Sequence, residues 1–221
     1  MTEALRNTAC WIFDLDNTLY PAACNLFLQV DQRIQQFVMD RLRLDPEQAR
    51  RVQKEYFHEY GTTLNGLIQH HGVEPGVYLD YVHDIDVTPV PPSPALNAAL
   101  GRLPGRKLVY TNGSVPHADR VMERLGVSHH FDGIFDIVAA DYVPKPDPGA
   151  YDEFVQRFGV APEDAVMVED IARNLAPAHA MGITTVWLRS DHHWSGGSAD
   201  DPHIDHVIDD LVDWLDTVAP E

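Results

Sequence analysis

Asp14 and Asp16 stand one residue apart in Trp11-Ile12-Phe13-Asp14-Leu15-Asp16-Asn17-Thr18, directly after an apolar run. Two carboxylates this close repel each other unless a cation joins them, and oxygen ligands favour a hard divalent ion such as Mg²⁺. A calcium loop starting at Asp14 does not fit, because its sixth position is Leu19 rather than Gly and its twelfth is Asn25 rather than Glu. A second candidate group is Thr111-Asn112-Gly113-Ser114, where a hydroxyl, an amide and a small residue precede a helix start. Backbone N–H groups in that setting suit the cradling of phosphate oxygens. Lys145 is held among Pro144, Pro146 and Pro148, and in a chain with only 16 basic residues it is a candidate for the local cation, the alternative being a lone surface lysine. Finally, Val166-Met167-Val168 runs into Glu169 and Asp170, so Asp170 can complete a metal site begun by the first pair.

All four groups fall where a strand gives way to a loop or helix. Expected strands are Cys10–Leu15, Lys107–Thr111, Ile134–Ala139, Ala165–Glu169, Thr184–Leu188 and, more weakly, His206–Ile208. They alternate with helical stretches, which predicts an α/β fold with a parallel sheet, whose carboxyl edge is where ligands bind. Ser114 and Gly126 bracket one helix, Asp147-Pro148 and Gly159 a second, and Gly182 closes a third that begins near Ile171. The alternation breaks between the first strand and Lys107. Leu26, Val30, Ile34, Phe37, Val38 and Leu42 recur at helical spacing, Asp45-Pro46-Glu47-Gln48 starts another helix, and Leu64–His71 and Val77–His83 follow. The segment Thr88–Pro94 reads as a stiff connector. This predicts a core of residues 1–19 and 91–221 with a helical insertion at 20–90, and a last helix at Asp209–Val218.

Thirty-four acidic residues against 16 basic give a formal net charge of −18. Nucleic acid and anionic membrane surfaces are poor partners for such a chain. Cys10 and Cys24 make neither a zinc spacing nor a disulfide framework, no targeting segment is visible and no apolar run could span a bilayer, so the expected location is the cytoplasm. Asp191, His192, His193, His203, Asp205 and His206 match no closed zinc pattern and read as a solvated loop running into a half-buried strand; Trp194 reads as a loop anchor or interface contact.

Taken together, the four groups resemble the motifs of the haloacid-dehalogenase-like (HAD) hydrolase superfamily, over nearly the whole chain. The resemblance implies a Rossmann-like core with a helical cap of the C1 type, and Mg²⁺-dependent hydrolysis of phosphate monoesters. By that resemblance Asp14 attacks phosphorus. Asp16 protonates the leaving alcohol and later activates water; dehalogenases of the superfamily lack this second Asp. Thr111 and Asn112 bind the phosphoryl group, Lys145 neutralises nucleophile and phosphate, and Mg²⁺ is held by Asp14, the backbone carbonyl of Asp16, and Asp170. Glu169 supports this set, and Asn174 stands where many members carry Gly or Asp and is left outside the metal site. The segments Phe13–Pro21, Thr111–Ser114 and Lys145–Pro148 are most similar to the pyrimidine 5′-nucleotidase-like branch, which implies UMP or CMP as substrate; phosphoglycolate and sugar-phosphate phosphatases and phosphomutases share the core motifs. The partner is then a small phosphorylated metabolite, with the chain acting as monomer or homodimer. Tyr20, Asn25, Tyr56 and His58 are candidate readers of the leaving group. A phospho-signalling receiver domain also uses Asp, Mg²⁺, Thr or Ser and Lys, but needs neither Asp16 nor a helical insertion. A scaffold that has lost activity is disfavoured because no catalytic position is missing.

Overall fold

The computed structural model describes Leu5 and residues 8–190 and 196–218. Six strands, β1 (Cys10–Phe13), β2 (Arg106–Tyr110), β3 (Gly133–Phe135), β4 (Ala165–Glu169), β5 (Thr184–Leu188) and β6 (His206–Ile208), form one sheet. Their order is β3-β2-β1-β4-β5-β6, and every neighbouring pair is parallel. The chain builds outward from β1 to β3, then crosses back to lay β4 on the other side of β1. That reversal makes the β1/β4 boundary the switch point of the sheet.

Alternate residues of each central strand face opposite layers. Trp11 and Phe13 join Leu100, Val109, Val121, Val168 and Leu215 beneath helices α5 (Pro94–Arg102), α6 (Val115–Leu125) and α9 (Leu211–Val218). Cys10 and Ile12 face Leu108, Tyr151, Phe154 and Met167 beneath α7 (Pro148–Phe158) and α8 (Leu175–Ala180). Between β1 and α5 lie four helices, α1 (Leu26–Leu42), α2 (Pro46–Tyr60), α3 (Thr63–His71) and α4 (Pro75–Val82). They have an apolar cluster of their own, containing Val38, Ala49, Leu64, Leu67, Tyr78, Leu79 and Val82. Asp45 and Gln48 form the expected reciprocal cap of α2. No described helix is long and apolar enough to cross a membrane.

Three elements differ from expectation. The third strand stops at Phe135 rather than Ala139, because the Asp136 carboxylate accepts hydrogen bonds from Ala139 N (2.8 Å) and Val115 N (2.9 Å) and turns the chain. Ile137, expected in that strand, packs into the cluster of α1–α4 instead. Pro94 is not the end of a connector but the first residue of α5, capped by Ser93, whose hydroxyl accepts from Leu96 N at 3.3 Å. The helix expected from Ile171 to Gly182 is a 3₁₀ turn, Ala172–Asn174, followed by α8, which ends at Ala180 with Met181 as its C-cap. Pro177 lies in the first turn of α8, where its missing N–H costs no helical bond.

Candidate active site

Strand order and register bring the expected residues together. Phe13 pairs with Val109 on one side and Val168 on the other, and the ladder runs one bond further, from Asp14 N to Val168 O at 3.0 Å. On the neighbouring pair, Thr111 N donates to Phe135 O at 3.0 Å. Asp14, Thr111 and Glu169-Asp170 therefore emerge side by side at the carboxyl edge. The prediction from strand ends holds because three adjacent parallel strands finish level.

Lys145 completes the group from a loop held by Asn112. Lys145 N donates to Asn112 Oδ1 at 2.9 Å, and Asn112 Nδ2 donates back to Lys145 O at 3.4 Å. The Lys145 ammonium, 1% exposed, donates to Asp14 Oδ1 (2.7 Å), Glu169 Oε1 (2.8 Å) and Tyr110 O (2.9 Å). Burial alone would lower its pKa, but the charges of Asp14 and Glu169 outweigh that and raise it. Glu169 also accepts from Ile171 N (2.5 Å) and Asn174 Nδ2 (2.6 Å), so it shapes the following 3₁₀ turn.

Asp14, Glu169 and Asp170 are buried and offer carboxylate oxygens within 4.8 Å of one another. Three carboxylates face a single ammonium. Burial first, and then the repulsion of Glu169, raises the pKa of both Asp14 and Asp170. A divalent cation would remove that excess, and an all-oxygen donor set suits Mg²⁺. The Asp16 carboxylate is not in this cluster. Asn17, at φ 63°, turns the chain, and Asp16 Oδ1 accepts from Tyr20 OH (2.6 Å) and His117 Nε2 (2.8 Å). Burial would raise the pKa of Asp16, but the charge and hydrogen bond of His117, with the Tyr20 bond, lower it. Thr111 is buried, and its hydroxyl accepts from Gly113 N at 2.9 Å. Ser114 precedes α6 as expected, but its hydroxyl makes no cap bond and lies 2.9 Å from His83 Nδ1.

The cleft above these groups runs to α1, α2 and α4, with Phe27, Val30, Phe57, Tyr78 and Leu79 on its walls and Asp31, Gln53 and Lys54 at one side. Asp31 Oδ1 accepts from Gln53 Nε2 (2.9 Å) and Lys54 Nζ (3.2 Å), and Arg50 pairs with its other oxygen. Tyr20, Asn25, Tyr56 and His58 do not line the cleft: Tyr20 serves Asp16, Asn25 bonds Ala23 O, and Tyr56 bonds His71. His117 is a supporting residue that sequence reasoning missed, and Tyr20, expected to read the leaving group, instead donates to Asp16. The glutamate-to-Asn174 contact was missed as well, although a polar residue five positions after Glu169 is a local signal for it.

Among the described residues, no metal-capable group forms from His203, Asp205 or His206. His203 Nε2 lies 3.1 Å from Ala172 O, and Asp205 Oδ2 accepts from Thr185 N (2.8 Å) and Oγ1 (2.9 Å). Asp191, His192, His193 and Trp194 lie outside the described residues.

The chain is 28% identical to phosphate metabolism protein 8 of Saccharomyces cerevisiae over 190 residues, which are 78% of this chain and 59% of the yeast protein. It is 27% identical to glyceraldehyde 3-phosphate phosphatase of Methanopyrus kandleri over 94% of this chain and 95% of that one. The crystal structure of a HAD phosphatase from Thermococcus onnurineus superposes with a TM-score of 0.64 at 19% identity, over 95% of this chain and 97% of that one. A family model of haloacid dehalogenase-like hydrolases matches residues 9–182. That match spans every strand from β1 to β4 and all the residues gathered at the carboxyl edge, and the chain belongs to the haloacid dehalogenase-like hydrolase family.

Proposed function

We propose that this chain is a phosphate-monoester hydrolase in which Asp14 is the nucleophile, acting on a small phosphorylated metabolite. The observation that carries this reading is the convergence, at one sheet edge, of Asp14, its 2.7 Å contact with Lys145 and the cluster of three carboxylates. In the first half-reaction an Asp14 oxygen bonds to phosphorus as the ester P–O bond breaks, and Asp16 gives its proton to the departing alcohol. In the second, Asp16 takes a proton from water, the water oxygen attacks phosphorus, and the Asp14–phosphorus bond breaks to release phosphate. Lys145 and the N–H groups of the Thr111–Ser114 turn balance charge on the phosphoryl oxygens. Asp14, Asp170 and the backbone of Asp16 would hold Mg²⁺, which when bound supplies electrostatic stabilisation of those oxygens. Glu169, tied to Lys145, Ile171 and Asn174, holds the set in place.

Residues 20–90 serve in this reading as a cap that closes over the edge and contacts the leaving group. The aromatic and aliphatic walls of the cleft, with the polar Asp31–Gln53–Lys54 side, favour a flat leaving group with one polar edge. A pyrimidine nucleoside meets that description, and UMP and CMP are the preferred substrates of this reading. A second reading, a sugar-phosphate phosphatase, is supported by the name of the Methanopyrus kandleri relative, which matches over 94% of this chain. Phosphate release from UMP, CMP, AMP, phosphoglycolate and sugar phosphates, with Mg²⁺ or chelator and with Asp14→Asn, tests both. Dependence on Mg²⁺ and Asp14 with pyrimidine nucleotides preferred is expected. A preference for sugar phosphates discards the nucleotidase assignment, and no release from any ester discards the hydrolase.

A further inference from the structure

We infer that His117 is a positioning residue for Asp16, tying down Oδ1 so that Oδ2 is the oxygen turned toward the substrate. The inference rests on the hydrolase reading above, in which Asp16 is the acid and base.

His117 is the third residue of α6 and is fully buried. Its Nε2 is 2.8 Å from Asp16 Oδ1, and the Tyr20 hydroxyl donates to the same oxygen at 2.6 Å. A carboxylate only accepts, so Nε2 carries the hydrogen of this contact. With two donors on Oδ1, the proton exchanged with alcohol and water resides on Oδ2. That oxygen faces the turn proposed to hold the phosphoryl group: a Cβ built on Gly113 would stand 3.7 Å from Asp16 Oδ2 and 3.3 Å from Thr111 Oγ1. The imidazole is fixed in turn by His83, whose ring stacks on it at 4.5 Å between centroids and 9° between planes. His83 follows α4, and it is itself held by Ser114 at 2.9 Å and by Arg120, which donates to its carbonyl. Support for Asp16 thus reaches from the core helix α6 to the α1–α4 insertion.

Simple packing does not account for the residue. His117 Nδ1 is buried and has no hydrogen-bond partner among the described residues, an arrangement that costs stability and is uncommon in folded proteins. A phenylalanine would fill the same space against His83 without that cost. What the imidazole adds is the donor at Nε2.

The test compares His117→Phe, which keeps a buried ring and deletes the donor, with His117→Gln, whose amide can restore it. Tyr20→Phe removes the other donor to Oδ1 and provides an independent variant should the His117 site tolerate change poorly. Circular dichroism checks that each variant is folded. Two esters are used with Mg²⁺: 4-nitrophenyl phosphate, whose phenolate departs without needing a proton, and the best alkyl ester of the panel above. For His117→Phe, kcat on the alkyl ester is expected to fall roughly 100-fold, the scale of a general acid, with KM within about threefold. The first turnover of 4-nitrophenyl phosphate should change less than about threefold, because Asp14 attack needs no proton from Asp16 there. Gln should recover most of the alkyl activity, and Tyr20→Phe should show the same ester dependence more weakly. Equal losses on both esters, an unchanged kcat, or a folded Gln variant no better than Phe would each overturn the positioning role. Release that survives Asp14→Asn in the otherwise native protein would instead overturn the hydrolase reading itself.

Discussion

Replacing Lys145 by Met keeps the aliphatic stem and removes the ammonium from a buried charge cluster. Lys145 is 1% exposed, as is Glu169, and Asp14 is 6% exposed, so water cannot replace what is lost. Three hydrogen bonds disappear, two of them to carboxylates, and Asp14, Glu169 and Asp170 remain packed together without a cation. Breaking a buried ion pair from one side costs about 3–5 kcal/mol, most of it from the unpaired charge left behind. For a chain of this size, each kcal/mol shifts the melting temperature by roughly 2–4 °C, so a drop of roughly 6–20 °C is expected. The measurement is differential scanning calorimetry with chelator present. The control is Arg51→Ala, which breaks an i,i+4 pair with Glu47 whose side chains are 63% and 84% exposed. Such a surface pair is worth about 0–1 kcal/mol. Hydrolysis should be lost in Lys145→Met and kept in Arg51→Ala. If Lys145→Met melts within about 1 kcal/mol of the control, the buried cluster does not depend on this ammonium, and the electrostatic account of the site fails.

Mg²⁺ at 100 times its dissociation constant should contribute about 2.7 kcal/mol to stability, raising the melting temperature by roughly 5–11 °C. Asp170→Asn should abolish most of that rise and, by removing a repelling buried carboxylate, should not lower the melting temperature in chelator; a thermal-shift titration reads both. Gly105, at φ 74°, faces the backbone carbonyls of Ala9 and Thr8, whereas Gly126, at φ 78°, faces open space. Gly105→Ala should therefore cost more than 2 kcal/mol by urea unfolding, against about 1 kcal/mol for Gly126→Ala, and equal costs would refute the steric argument. Burial would raise the pKa of Asp205, but its hydrogen bonds from Thr185 and the nearby His179 lower it. A folded value below the unfolded one means that Asp205 stabilises the fold above about pH 4 and loses that effect as pH falls through the folded value. Asp205→Asn should thus be less stable than the native chain at pH 7, and the gap should close in acid; a gap that stays constant down to pH 2.5 would count against the assignment.

Apart from Lys145, the parts of the site that were legible in the sequence share one property: each is a polar residue at or just past the end of an apolar strand. Asp14, Thr111 and Asp170 are placed by the strands they terminate, and a parallel sheet with level carboxyl ends brings such residues together whatever the loops do. Lys145 was legible through its proline setting and the scarcity of basic residues. His117 was not, because its contact with Asp16 spans 101 residues, between a helix turn and the loop after β1. Helical spacing puts it on the buried face of α6 together with Ala118, Val121 and Met122, where a histidine reads as core. A tyrosine just after the motif can point toward the substrate or back to the motif, and in the fold the chain turns at Asn17, φ 63°, and Tyr20 bonds Asp16. The premature end of β3 has the same origin: Asp136 interrupts an apolar run that alternation alone would extend, and its carboxylate is spoken for by Val115 and Ala139. Local signals locate the residues that terminate elements; the residues that orient them are fixed by which helix packs over which strand. In this chain that second set includes His117 and Tyr20, which hold Asp16 Oδ1, and Asn174, which holds Glu169 Oε1, so the orientation of these two carboxylates depends on tertiary contacts that no single motif encodes.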